Sequence, residues 1–335
     1  MNFQRLESYK KAAAQACRYY GHRALRNVSL LCLSENATFL LAEDSRDKFR
    51  AVMRVARVGY HSRAEIEAEL RWLEHLGKSD AVRAVYPVSN IRGNLLTQVE
   101  EERQVYVCVV FQYLEGHTLN PRQDLSAAAD FRQTGRTAAL LHRDAMDWKE
   151  SGTLLRPHWN YENMVGTHGL FGNWRECREL DFRGYDTIDL ACRRIRQRLE
   201  NYGKNENNYG LIHADLRAAN LLKDGSVLHV LDFDDCGFGW HLYDLAASVS
   251  FIEDDLRLGQ WIEAWLEGYQ SVLPLEKRDL LEIPTFIMAR RIQLLAWLTS
   301  HEDSDPVKGQ YPGFAGETVR LAGEYERYLL NHLHE

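Results

Sequence analysis

The chain has 335 residues, with 41 Lys and Arg against 48 Asp and Glu, a net charge of −7 and 45% hydrophobic content. It is long enough for two lobes with a sizeable core. It is too acidic for a nucleic-acid footprint over the whole surface, and it has no run approaching the roughly 18 uncharged apolar residues of a membrane helix.

The amino terminus carries Arg5, Glu7, Lys10 and Lys11 and no apolar signal-peptide core, so the expected location is the cytoplasm. Residues 3 to 20 show helical spacing of apolar positions (Phe3, Leu6, Ala13, Ala16, Cys17, Tyr20), closed by Gly21. Three short apolar or alternating runs follow at 28–34, 37–43 and 49–56, separated by polar turns, which predicts an antiparallel meander. Ser62 opens a second helix that places Ile66, Leu70, Leu73 and Leu76 on one face, with Ser62 and Glu65 spaced as a capping box. Strands near 94–99 and 104–111 complete a β-β-β-α-β-β order, the pattern of a small α+β lobe. From Leu114 the segment YLEGHTL reads as a connector, dividing the chain into lobes of residues 1–112 and 113–335. Helical periodicity follows at 131–145 and near 186–201, 241–252, 256–272, 277–300 and 316–333, so the second lobe is mainly helical.

Charge is split between the halves. Residues 1–110 hold 17 basic and 13 acidic side chains (+4), leaving 24 and 35 (−11) for the remainder. The six cysteines, Cys17, Cys32, Cys108, Cys177, Cys192 and Cys236, are scattered without a C-x-x-C pair, as expected of reduced core thiols.

The chemistry concentrates between 211 and 245, LIHADLRAANLLKDGSVLHVLDFDDCGFGWHLYDL, where short apolar runs flank His213, Asp215, Asn220 and Asp232. A turn at 223–225 folds Leu221–Leu222 back on the run SVLHVL, so the hairpin brings Asn220 and Asp232 together. A carboxylate and an amide oxygen are hard ligands suited to Mg²⁺, which keeps several waters and shares substrate phosphates. That leaves Asp215 to orient a hydroxyl and accept its proton. His213 reads as a brace of the loop and His142 as a packing residue.

These residues resemble the aminoglycoside phosphotransferase and choline kinase group, over roughly residues 30 to 300. The resemblance implies a bilobal protein-kinase-like fold, with ATP and Mg²⁺ as cofactors and a small-molecule hydroxyl as acceptor. In that group H-x-D-x-x-x-x-N is the catalytic loop and the next strand-end Asp holds metal, which implies Asp215 as catalytic residue and Asn220 and Asp232 as metal ligands. YDLA (243–246) resembles the segment that follows, with Asp244 structural. SENATF (34–39) stands where a glycine-rich loop covers the phosphates, implying Ser34 and Asn36 at the nucleotide. AVMRV (51–55) offers Arg54 where the group uses Lys; arginine can still grip phosphate bidentately, with different geometry. Its carboxylate partner would be Glu69, with Glu65 and Glu67 as rivals. VYVCVVFQYLEG (105–116) matches the adenine-binding connector, near Gln112 and Leu114.

D-F-D at 232–234, and the absence of G-x-G-x-x-G and A-P-E, favour a small molecule over a protein as acceptor. The acidic second half, with Asp234, Asp235 and the 253–255 run, favours a cationic amino alcohol, amino sugar or hydroxy amino acid. The alternatives are a Ser/Thr protein kinase of the bacterial stress-response type and a nucleotide-binding module without turnover.

Overall fold

Alternation of small apolar residues on strands and a helix that can lie flat on them organises the first part of the chain. The structure, a computed structural model, describes residues 3–21, 27–42, 50–302 and 307–331. Strands β1 (Asn27–Leu33), β2 (Ala37–Ala42), β3 (Arg50–Val55), β5 (Leu96–Glu101) and β6 (Gln104–Gln112) form an antiparallel sheet in the order β1-β2-β3-β6-β5. Glu43 and Phe49, the ends expected for two of these strands, lie outside the described residues. One face packs against helix α1 (Phe3–Cys17). Ala12, Ala13, Ala16 and Tyr9 meet Phe39, Leu41, Met53, Val55 and Val110 in one buried cluster, and the alanines let the helix lie close. After Cys17 the backbone tightens through i→i−3 hydrogen bonds as far as Tyr20, and Gly21 takes a φ of +95° that favours glycine.

Helix α2 (Arg63–Ser79) starts as its sequence dictates. Ser62 Oγ accepts from the Glu65 amide (3.2 Å), and the Glu65 carboxylate accepts from the Ser62 amide (2.7 Å). Its buried stripe includes Ile66, Leu70, Leu73 and Leu76. A two-residue strand, β4 (Arg83–Ala84), follows.

The chain divides into two compact units after Gly116, inside the expected connector, with the second beginning at His117. The second unit holds α3 (Ala127–Asp147), α4 (Tyr161–Val165), α5 (Phe182–Tyr202), α6 (Tyr243–Ser248), α7 (Leu258–Gln270), α8 (Lys277–Leu280), α9 (Ile283–Ser300) and α10 (Phe314–Asn331). Helices α3 and α7 cross at glycine. A Cβ on Gly135 would stand 1.9 Å from the Trp265 carbonyl oxygen, and one on Gly268 the same distance from that of Arg132. The helix expected over 277–300 is two helices, because Pro284 in the first turn of α9 cannot continue a helix arriving from α8. The helix expected over 241–252 is only the six residues of α6. The end of the helix expected over 316–333 lies outside the described residues.

Short strands carry the site. β7 (His117–Thr118), β10 (Leu221–Asp224) and β11 (Val227–Val230) pair antiparallel, with β10 in the middle of the three. β8 (His158–Trp159), β12 (Gly237–Trp240) and β9 (Tyr209–Ile212) form a separate sheet. The sequence reading missed this second sheet because GFGW looks like loop. Its glycines answer crowding: a Cβ on Gly237 would lie 2.4 Å from the Pro157 carbonyl oxygen, and one on Gly239 2.5 Å from the Ile212 side chain.

The core-thiol expectation holds for Cys17, Cys108, Cys192 and Cys236; Cys32 is exposed and Cys177 half-buried. No helix among the described residues is long and apolar enough to cross a membrane.

Candidate active site

The hairpin at 221–230 sets the spacing of the motif. Leu221 pairs with Val230 and Asp224 with Val227, so the reversal occupies Gly225 and Ser226, one residue later than expected, with Gly225 at φ +57°. The Leu231 amide donates to the Asn220 carbonyl (2.9 Å), which puts Asn220 opposite Leu231 and next to Asp232 across the ladder. Asn220 is buried and spends its amide hydrogens on Asp215, donating to the Asp215 carbonyl oxygen (2.9 Å) and to Oδ2 (2.7 Å). Its Oδ1 lone pairs are what the side chain has left to offer a ligand. Asp232 is exposed and adopts φ +56°.

The loop before Asp215 is held from beneath by Asp244 in α6. Its carboxylate accepts from the His213 amide (3.1 Å), the Ala214 amide (2.7 Å) and His142 Nε2 (2.9 Å), and all three side chains of this network, His142, His213 and Asp244, are fully buried. Ala214 sits at φ +66°, a left-handed conformation that costs a non-glycine residue on the order of 1–3 kcal/mol and persists only where neighbours enforce it. His142 does more than pack: its other ring nitrogen meets Tyr269 OH at 2.9 Å, so it links α3, α6 and α7. His213 reaches the Leu231 carbonyl through Nε2 (2.9 Å) and the Asp215 amide through Nδ1 (3.2 Å), tying the loop to the hairpin. The segment after Asp232 is clamped in turn. Buried Arg156 donates to the carbonyls of Asp234 and Cys236, and Trp159 Nε1 to that of Asp235 (2.9 Å).

Asp215 is flanked by cations that the sequence reading did not assign. Arg217 Nε meets Oδ2 at 3.2 Å, and Arg290, from α9, donates to Oδ1. Burial pushes the Asp215 carboxyl up, but Arg217, Arg290 and His213 outweigh it and hold the group below the usual carboxylate value, so it is ionised at neutral pH. The Arg290 signal lies in the sequence of α9. An apolar helix with Arg290, Arg291 and Gln293 in its middle must bury them with partners. The acidic run at 253–255 proves to be internally paired: Glu253 with Arg291 (2.8 Å), Asp254 with Arg122 (2.6 Å) and Asp255 with Arg257 (2.9 Å). It is therefore a poor source of attraction for a cationic acceptor.

In the first unit, strand alternation points Ala51, Met53 and Val55 at α1 and turns Arg54 to the other face, where α2 supplies Glu69. The pair is bidentate, Nη1 to Oε1 at 2.9 Å and Nη2 to Oε2 at 2.5 Å, with side-chain exposures of 7% and 0%. Glu69 is thus the partner among the three candidates, since Glu65 is spent on the cap and Glu67 on Arg63 (2.7 Å). Arg54 is no surface arginine. Asn36 Oδ1 accepts from the Arg57 amide (3.0 Å), the Arg57 guanidinium reaches Glu35 (2.6 Å), and Ser34 is exposed at the start of this turn. The Gln112 amide is taken by the Tyr86 carbonyl (3.0 Å), whereas Leu114 lies beyond the end of β6.

No cluster of three or more His, Cys, Asp or Glu side chains among the described residues could hold a metal ion. A metal here would rest on Asp232 and Asn220, the sparse ligation that suits Mg²⁺ shared with phosphate oxygens.

Asp215, the asparagine that holds it and the aspartate at the next strand end form one polar cluster, and comparison with known proteins gives the class of the chain that carries it. Residues 33–280 match the model of the phosphotransferase enzyme family APH. A solved microcompartment-associated aminopropanol kinase is 34% identical with a TM-score of 0.82, covering 95% of this chain and 97% of its own. Amicoumacin kinase of Bacillus subtilis is 21% identical over 300 residues, 86% of this chain and 84% of the relative. A solved amicoumacin kinase in complex with AMP-PNP, Ca²⁺ and Ami shares the fold at 18% identity and a TM-score of 0.73, covering 98% of this chain and 94% of its own. The chain belongs to the phosphotransferase enzyme family, and the resemblance read from its motifs is borne out.

Proposed function

We propose that the protein transfers the γ-phosphate of ATP, with Mg²⁺, to a hydroxyl of a small amine-bearing molecule: an amino alcohol, amino sugar or hydroxy amino acid. The observation that carries this reading is Asp215, a carboxylate fixed by Asn220 and two arginines, one hairpin ladder away from Asp232. The amine rests on the relatives, one named for aminopropanol and one for amicoumacin.

In this reading Arg54, fixed by Glu69, holds the α- and β-phosphates, Ser34 and Asn36 shape the turn over them, and the backbone near Gln112 and Leu114 takes the adenine. Asp232 and the Asn220 Oδ1 hold Mg²⁺, which neutralises phosphate charge when bound. Asp215 accepts a hydrogen bond from the acceptor hydroxyl and aims its oxygen at phosphorus. The hydroxyl proton passes to this carboxylate as the P–O bond to the acceptor forms and the bond to the ADP leaving group breaks.

The test is Mg²⁺-dependent ADP release, screened over amino alcohols, amino sugars, hydroxy amino acids, choline-like amines and neutral sugars. Turnover with an amine-bearing alcohol is expected, and Asp232→Asn should lower it by orders of magnitude because an amide lacks the charge that anchors the metal. Preference for neutral sugars would overturn the acceptor class; wild-type rates in Asp232→Asn at saturating Mg²⁺ would remove that residue from the site.

A further inference from the structure

The proposed function gives Asp215 a role but leaves open what holds it still. Two of its contacts are local: Arg217 is two residues away with 36% of its side chain exposed, and Asn220 lies in the same loop. Both engage Oδ2. Among the described residues Oδ1 is held from a distance in sequence, by Arg290 in the middle of α9, whose side chain is 2% exposed.

Arg290 is itself over-determined. Its Nε donates to Ser250 Oγ (3.2 Å), and its Nη1 lies 3.2 Å from Tyr243 OH and 3.4 Å from Gln293 Oε1. Tyr243 OH also donates to Gln293. The guanidinium carbon is 5.7 Å from the centre of the Phe171 ring and 5.8 Å from that of Tyr243. The Trp159 ring stacks on the far neighbour, 6.0 Å from Tyr243. All three nitrogens of the fork therefore have a partner, and a planar guanidinium held at Nε and Nη1 by buried side chains gives its Nη2 a set direction toward Asp215.

We infer that Arg290 is a positioning residue for phosphoryl transfer, acting through Asp215: it fixes Oδ1 so that the carboxylate presents a single rotamer to the acceptor hydroxyl, and it makes the placement of α9 part of the catalytic geometry. Arg290 touches neither nucleotide nor acceptor in this scheme. The Phe171 ring packs on Arg290 and its carbonyl accepts from Ser300 Oγ (2.9 Å), so this segment is fixed to α9 at two points.

The inference rests on the catalytic reading of Asp215, and a double-mutant cycle separates the two. Arg290→Met, Asp215→Asn and the double variant are compared in ADP release, each with a melting curve, and Arg290→Lys is carried in parallel. Arg290→Met is expected to lower kcat by about tenfold to a hundredfold with KM for ATP changed less than about twofold, and Arg290→Lys to recover part of the loss. In the Asp215→Asn background the same substitution should cost less than about twofold, because the group it positions has lost its function. Equal losses in both backgrounds, a change confined to KM, or unchanged kcat in Arg290→Met would overturn the inference while leaving Asp215 in place. Wild-type turnover in Asp215→Asn would sink both. If Arg290→Met does not fold, the cycle is read from Arg290→Lys, where the same non-additivity is expected and additivity refutes it.

Discussion

Arg54 shows how burial changes what a substitution tests. The sequence offered it, by resemblance, as a phosphate ligand; the fold puts it in a fork with Glu69, both out of solvent. Removing it therefore strands a buried carboxylate, and Arg54→Ala should cost the first unit about 3–5 kcal/mol as well as lowering ATP affinity. Arg54→Lys keeps the charge and a single-point pair with Glu69, so it separates the two effects. Nucleotide affinity measured by titration should fall in the order wild type, Lys, Ala, with the Lys variant melting close to wild type. Equal ATP affinity in wild type and both variants would confine Arg54 to a structural role. Asp215, Asn220 and Asp232 were legible because the motif is local: eighteen residues, one hairpin and two strand ends put them together. Arg290 was not, since a contact across seventy-five residues leaves no spacing to read, only the oddity of charges inside an apolar helix.

Among elements, the crossing of α3 and α7 has the least tolerance. With carbonyl oxygens where two Cβ atoms would go, neither Gly135 nor Gly268 can gain a methyl group without separating the helices. Gly135→Ala is expected to destabilise the second unit by about 1–3 kcal/mol or more, despite the better helix propensity of alanine, and to lower its melting temperature by several degrees. A melting temperature at or above wild type would show that the helices slide apart freely. Helix existence was legible from periodicity, but boundaries and breaks were not. Pro284 divided one expected helix in two, and the sheet of β8, β12 and β9 escaped notice because close backbone approach selected glycines where strand formers would have announced it. In the meander of the first unit β2 and β3 pair residue by residue as read, while β1 slips register between Leu30 and Cys32, and the Ser62–Glu65 cap formed as its spacing required.

For the whole chain, buried thiols are among the groups that weaken the fold at alkaline pH. Burial pushes Cys17 up to about 11 in the first unit and Cys192 up to about 12 in the second, from an ordinary value of 9.0. A folded pKa above the unfolded one means that the stability these neutral thiols contribute is fully present below pH 9 and is lost as pH rises through 11 to 12. Melting temperatures should therefore hold steady from pH 7.5 to about 9 and decline above it, with Cys17→Ala flattening part of the decline; a flat profile to pH 11 in the wild type would contradict this.

The clamp beneath the loop that carries Asp215 ties that loop to the interior. Asp244, His142 and His213 are wholly interior and bond to one another, to neighbouring rings and to backbone, so nothing outside the molecule meets them. Exposed helices and loops can change without touching these contacts, whereas a change at any of the three loosens what holds the strained turn at Ala214.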